Sequence, residues 1–401
     1  MLNEATRDFI HQHLEADVRQ LALQGGRDSG VDLPLALEQI AGRQKARAKS
    51  PSWAAIDGIL YPPNLSMEQC SSERTARYKA GIAGKGELFV DLTTGFGVDA
   101  AFISKGFSKA VCIEQQERLC TIILDNFKRL GLSHVHVVCG DGIEYLHQMD
   151  HADLLFVDPA RRDEHGARTF GIADCTPNVL KLMDKMTEKA TRIIIKLSPM
   201  LDWRKAVEDI GDGVSCVHIV SVDNECKELL IEVKSEERKA KSEASSLRVV
   251  CVNLLSDGQE ERFEFNAKAS FPTKTTCFAK LSGFLYEPNA SIMKAGCFGL
   301  FAERFSLSQL DSNSHLFVSD ADIDDFPGRR FVIDKVTSMN KRDLKEALAG
   351  ISRANIAVRN FPMSVAELRK RLKLQDGGDE YIFATTVANL GHRLFVCRKK
   401  P

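Results

Sequence analysis

The chain predicts an α/β fold in which a mostly parallel, doubly wound sheet closes on an antiparallel hairpin, with a helical segment before it and two small α+β modules after it. Two observations carry this. From about residue 86, five short β-rich runs, Leu88–Asp91, Lys109–Glu114, Val135–Cys139, Asp153–Asp158 and Arg192–Leu197, alternate with segments long enough for crossover helices. Continuous apolar runs with helical spacers indicate parallel strands covered on both faces. Two further runs, 213–223 and 227–234, are joined by Asp223–Cys226, a loop too short for a helix, so these neighbours must pair antiparallel.

At 401 residues the chain exceeds what a single core fills. Residues 1–79 read as short helices, with apolar positions three and four apart at Phe9, Leu14, Val18 and Leu21 and again over 33–40, broken by Pro51 and Pro62-Pro63. The parallel unit covers 80–234. The charged stretch 235–246 reads as a linker, and 245–325 as a small α+β, ferredoxin-like module with strands near 247–255, 262–266 and 315–319 and a helix over 290–305. The tail, 328–401, runs βαβαββ: strand 331–336, helix 341–351, strand 355–360, helix 364–374, and a hairpin of 381–387 with 394–398.

A net charge of −1 argues against a uniformly basic nucleic-acid binder, but the average hides an asymmetry. From Asp325 onward sixteen Lys and Arg stand against eight Asp and Glu, so the tail is the basic part of a neutral protein. The N-terminus lacks the apolar core of a signal peptide and no long apolar run follows, which predicts a cytoplasmic protein without a membrane partner. The 11 cysteines are scattered, mostly within apolar runs and never as CxxC, so neither disulfides nor a metal site is expected. His11 and His13 lie in a helical stretch, where two-residue spacing turns the rings apart, and His134 with His136 lacks a third ligand nearby in sequence.

The chemistry concentrates at the ends of the predicted strands. Asp91 closes the first, and Thr94, Gly95 and Gly97 follow before a helix starts; glycines there let backbone turn tightly and approach a ligand. Glu114 closes the second strand, Asp141-Gly142 follows the third and Asp158 the fourth. Each acid alone reads equally as a helix cap or a solvated loop. Four in order at successive carboxyl ends mark the edge where open α/β sheets bind ligands.

The loop Asp91-Leu-Thr-Thr-Gly-Phe-Gly-Val-Asp-Ala100 resembles the glycine loop of RNA methyltransferases, notably small-subunit ribosomal RNA guanine-N2 methyltransferases with D-A-T-A-G-L-G-x-D-A. Over its whole length the chain resembles bacterial class I methyltransferases that end in a THUMP-like domain. The residues behind this are 68–79, Asp158-Pro-Ala-Arg-Arg162, Leu285-Tyr-Glu-Pro-Asn-Ala290 and the basic tail. The resemblance implies a Rossmann-like class I methyltransferase sheet and S-adenosylmethionine as cofactor. Asp91, Thr94, Gly95, Gly97, Glu114, Asp141 and Gly142 would bind it: Asp91 the ammonium, Glu114 the ribose hydroxyls, Asp141 the adenine amine.

Asp158-Pro159-Ala160-Arg161 stands where nucleic-acid amino-methyltransferases carry D/N-P-P-Y/F, which assigns Asp158 and Arg161 to catalysis. Lys79, Arg162, Arg369, Lys370 and Lys373 are the expected substrate contacts: a guanidinium plane stacks on bases and pairs with phosphate, and the basic tail grips phosphate independently of sequence. The segment Lys196-Leu-Ser-Pro199 after the fifth strand lacks the thiol that covalent C5-uracil chemistry needs. The expected function is methyl transfer to structured RNA, a ribosomal or transfer RNA base. The alternatives are methyl transfer to a protein or small molecule, and a non-catalytic RNA-binding factor that retains the fold.

Overall fold

The computed structural model describes residues 2–24, 30–160, 171–240, 247–268 and 281–400. The chain divides into two compact units, Met1–Val217 with Glu228–Ser245, and His218–Lys227 with Ser246–Pro401.

The first unit opens with helices α1 (Glu4–Gln12), α2 (Val18–Gln24), α3 (Leu33–Lys49), α4 (Pro51–Ala54), α5 (Asn64–Gln69) and α6 (Glu73–Ala83). Asp32 caps α3 by accepting from the Leu35 amide, and Pro34 lies in its first turn. Ala36 and Ile40 of α3 bury against Ile10 and Leu21 of the two preceding helices. Ser72 caps α6, and Gly84 ends it at φ +74°. Residue 79, where the sequence places the end of the helical segment, lies inside α6.

Strands and helices then alternate: β1 (Gly86–Asp91), α7 (Val98–Ile103), β2 (Phe107–Glu114), α8 (Glu117–Arg129), β3 (Val135–Cys139), α9 (Gly142–Gln148), β4 (Ala152–Val157), α10 (Val179–Lys189), β5 (Ala190–Leu197), α11 (Trp203–Ile210), β6 (Val214–Val222), β7 (Glu225–Lys234) and α12 (Ser235–Lys239). The strand order is β3-β2-β1-β4-β5-β7-β6. The first five strands pair parallel, and β7 runs antiparallel to β5. This is the class I methyltransferase arrangement. Ile193, Ile194 and Ile195 are fully buried, the signature of a strand covered on both faces. The segment read as a linker begins with the helical turn α12, and 241–246 lie outside the described residues.

In the second unit β8 (Arg248–Leu254) pairs antiparallel with β9 (Glu260–Asn266). There follow β10 (Phe284–Pro288), α13 (Ala290–Ala295), α14 (Phe298–Arg304), β11 (Ser308–Gln309), β12 (Phe317–Ser319), β13 (Gly328–Thr337), α15 (Lys341–Ala347), β14 (Asn355–Arg359), α16 (Val365–Leu372), β15 (Glu380–Val387) and β16 (Gly391–Lys399). The helix expected over 290–305 is two, because Gly296 adopts a left-handed φ of +65° and stops the first. Strands β10 to β16 form one sheet in the order β11-β12-β10-β13-β16-β15-β14, with β14 and β15 parallel. Phe331, Phe383 and Phe395 fill one core of this sheet. Leu368 of α16 and Leu344 of α15 share a second with Ile382, Ala384 and Leu394, so both basic helices lie over one face. Among the described residues no helix is long and apolar enough to cross a membrane.

Candidate active site

Parallel pairing brings the carboxyl ends of β1, β2, β3 and β4 side by side, and the loops after them interlock. The Thr94 amide donates to Ile113 O at 2.9 Å and the Gly95 amide to Glu114 Oε2 at 2.9 Å, tying the glycine loop to the end of β2. Thr93 Oγ1 accepts from the Asp158 amide at 2.7 Å, tying it to the end of β4. A side chain at Gly142 would place its Cβ 2.2 Å from Leu92 O, so only glycine lets α9 come so close. Gly97 has φ +81°, and a Cβ there would strike the Phe127 ring at 2.9 Å.

Each carboxylate has a defined environment. Glu114 is almost fully buried and accepts from the Gly95 amide on Oε2 and from the Gln116 amide, at 2.8 Å, on Oε1. Asp141 caps α9, accepting from the Ile143 amide at 2.6 Å and the Glu144 amide at 3.2 Å, while Gln115 Nε2 donates to its other oxygen. Asp91 is buried and accepts from the Thr93 amide at 3.0 Å, with no ion pair among the described residues. Burial above all, then repulsion from Asp99 and Asp158, pushes its carboxyl well above the ordinary range. Thr94 is buried, whereas the space beside Gly95 Cα is open.

A buried charge cluster lies beneath this edge. Lys196, at the end of β5, places Nζ 2.6 Å from Asp158 Oδ2 and 3.5 Å from Asp99 Oδ2. Lys79 from α6 places Nζ 2.7 Å from both carboxylate oxygens of Glu228 and 3.1 Å from Asp99 Oδ1. Ser71 joins the halves, donating to Asp99 Oδ2 at 2.6 Å and accepting from both lysines. Burial alone would pull Lys196 down, but Asp158, Asp99 and Glu228 together raise it well above the ordinary lysine range. Burial would likewise raise Asp99, yet the two ammoniums hold it below the carboxylate range.

The expectation that Lys79 contacts substrate is corrected here. Its side chain is completely buried and its ammonium is committed to Glu228, Asp99 and Ser71. Lys196, Glu228, Asp99 and Ser71 were not singled out from sequence. The available signal was a charge at the end of an otherwise apolar strand, as in Ile193-Ile-Ile-Lys196 and Glu228-Leu-Leu-Ile. Arg161 and Arg162 lie outside the described residues. In the tail, Lys370 and Lys373 are exposed, whereas Arg369 donates to Asp376 and to Ala354 O. Arg329 and Arg359 pair with Glu287, Arg330 with Asp324 and Arg398 with Asp334, so five of the tail's arginines are already held within the protein.

A family model described as THUMP domain-like matches residues 328–399, and one described as a ferredoxin-like domain matches 284–327. No curated protein matches by sequence. The crystal structure of a candidate methyltransferase from Porphyromonas gingivalis W83 is 29% identical and covers 100% of both chains with a TM-score of 0.84. Two more distant structures match in part. M. capricolum TrmK, solved with S-adenosyl-homocysteine, is 12% identical over 41% of this chain and 69% of its own, TM-score 0.33. An rRNA methylase from Streptococcus thermophilus is 15% identical over 40% of this chain and 93% of its own, TM-score 0.31.

Proposed function

From a chain that carries the class I methyltransferase fold and a C-terminal THUMP-like domain, we propose an S-adenosylmethionine-dependent methyltransferase that acts on structured RNA. The observation that carries the cofactor is Asp91. A carboxyl this buried, with no ion pair of its own among the described residues, suits a cationic ligand, and the donor's ammonium supplies one. Open space beside Gly95 leaves room for that ligand, and Gly97, Thr94 and Gly142 hold the loop in its approach. Glu114 and Asp141 would accept from the ribose hydroxyls and the adenine amine. When bound, the donor supplies a methyl group on a positively charged sulfur.

This chain's residues do the rest. Asp158, next to the glycine loop through Thr93, sits where an acceptor must approach, and its side chain is 37% exposed, so it can reach one. The RNA assignment rests on the THUMP-like match and on exposed Lys370 and Lys373, with Arg161 and Arg162 as further substrate contacts. The test is transfer of a tritiated methyl group from S-adenosylmethionine to total RNA and, in parallel, to total protein. Label in RNA supports the reading; label confined to protein, or none, overturns it.

A further inference from the structure

Resting on that reading, we propose that the acceptor is a ribose 2′-hydroxyl of RNA rather than a base, with Asp158 taking the hydroxyl proton and Lys196 holding the negative charge that develops on the oxygen. The juxtaposition behind this is the 2.6 Å contact of Lys196 Nζ with Asp158 Oδ2 at the adjoining ends of β4 and β5. Asp158 reaches solvent, while the lysine beside it is nearly buried, its side chain 11% exposed.

A fixed ammonium discriminates between acceptors. An amine attacks through a lone pair and gains positive charge as it does so; a neighbouring ammonium raises that barrier. A hydroxyl is a weak nucleophile until its proton leaves, and a preorganised cation favours the alkoxide-like transition state in a site shielded from water. The cation here is secured by three carboxylates, Asp158, Asp99 and Glu228, which keep it protonated against the cost of burial. Lys79 balances Glu228 and Asp99 from the other side, so neither carboxylate depends on Lys196 alone. Methylation at carbon through a thiolate fits poorly: Cys70, which feels Lys196 and Asp99, donates to Met67 O, and burial raises its thiol. The aromatic position of the D/N-P-P-Y/F pattern is held by Arg161, so that motif brings no aromatic ring to stack on a base drawn into the site. Every internal RNA nucleotide presents a 2′-hydroxyl, and the THUMP-like match favours RNA over a protein hydroxyl.

The step balances. The hydroxyl oxygen forms its bond to the methyl carbon as the carbon–sulfur bond breaks and sulfur keeps that electron pair, becoming a neutral thioether. The hydroxyl proton passes to Asp158 Oδ1 and from there to solvent. Lys196 keeps its own protons throughout and is regenerated unchanged.

The experiment uses the full chain, donor tritiated in the transferred methyl, and total RNA hydrolysed in alkali after labelling. A 2′-O-methyl group blocks attack on the adjacent phosphate, so label is expected in alkali-resistant dinucleotides. Label in mononucleotides would leave RNA methylation standing and overturn the hydroxyl assignment. Label confined to protein, or none, would overturn both. Lys196→Met is expected to slow transfer by about 100-fold at neutral pH, with a rate that climbs roughly tenfold per pH unit where the parent is flat. Lys196→Arg should restore part of the rate. Calorimetry with S-adenosylhomocysteine should show unchanged affinity in both variants, which establishes that they fold; wild-type transfer by folded Lys196→Met would overturn the role of the lysine.

Discussion

Lys79 and Glu228 lie 149 residues apart in sequence, yet the ammonium of one sits 2.7 Å from both carboxylate oxygens of the other, with both side chains buried. The pair bridges α6 to β7 under the candidate site. A buried ion pair adds little over a well-packed apolar pair, but removing one partner strands a charge away from water. Lys79→Met should therefore destabilise the first unit by about 3–5 kcal/mol, and adding Glu228→Gln should recover a large part. Both tryptophans, Trp53 and Trp203, belong to that unit, so urea denaturation followed by their fluorescence reads it directly.

Glu114 supports the glycine loop and is the expected ribose ligand. Replacing it with Ala removes the acceptor for the Gly95 and Gln116 amides as well as the charge-assisted bonds to the cofactor. The expected loss of S-adenosylhomocysteine affinity is on the order of 1.5–3 kcal/mol by calorimetry. Unchanged affinity would show that the cofactor lies elsewhere.

Asp91 gives a pH signature. Its folded value is raised above its unfolded one, so the folded state favours the protonated carboxyl. The contribution is whole below the ordinary carboxylate range and is lost as pH rises through the raised value. Asp91→Asn keeps an acceptor for the Thr93 amide and does not ionise. Without cofactor it should exceed the parent in stability at pH 8, by about 1.4 kcal/mol per unit of raised pKa, with the advantage vanishing near pH 4. The same variant should bind S-adenosylhomocysteine at least about tenfold more weakly, since the ammonium loses its counter-charge. Thermal denaturation across pH and calorimetry check the two halves.

In the tail, Lys370→Glu with Lys373→Glu is the cleaner probe of RNA binding, because Arg369 is tied to Asp376 and Ala354 O and its reversal would disturb the fold. If the lysines meet phosphates, affinity for many RNAs should fall about equally, and the slope of log K against log salt should drop by about 1–2. Filter binding at two salt concentrations measures this. Curves that coincide with the parent's would make α16 a solvated helix face.

Local pattern determined most of the architecture. Alternating apolar runs and helical spacers placed β1 to β5, the short 223–226 loop left no room for a crossover helix between β6 and β7, and the tail's βαβαββ order was legible because each run keeps one period. Gly95, Gly97, Glu114, Asp141 and Asp158 were legible as a set because parallel strands must present their carboxyl ends on one edge. Short strands such as β10, bounded by Gly283 and Pro288, and the break at Gly296 were not, since one glycine or a five-residue run carries too little period. Tertiary structure alone decided the charges. Lys79, Lys196, Asp99 and Glu228 are distant in sequence, and only chain crossover brings two ammoniums and two carboxylates into one buried cluster with the partly exposed Asp158 at its edge. The tail's arginines likewise counted as free charge in composition, yet folding commits five of them to carboxylates, because an ion pair depends on which side chains meet in space.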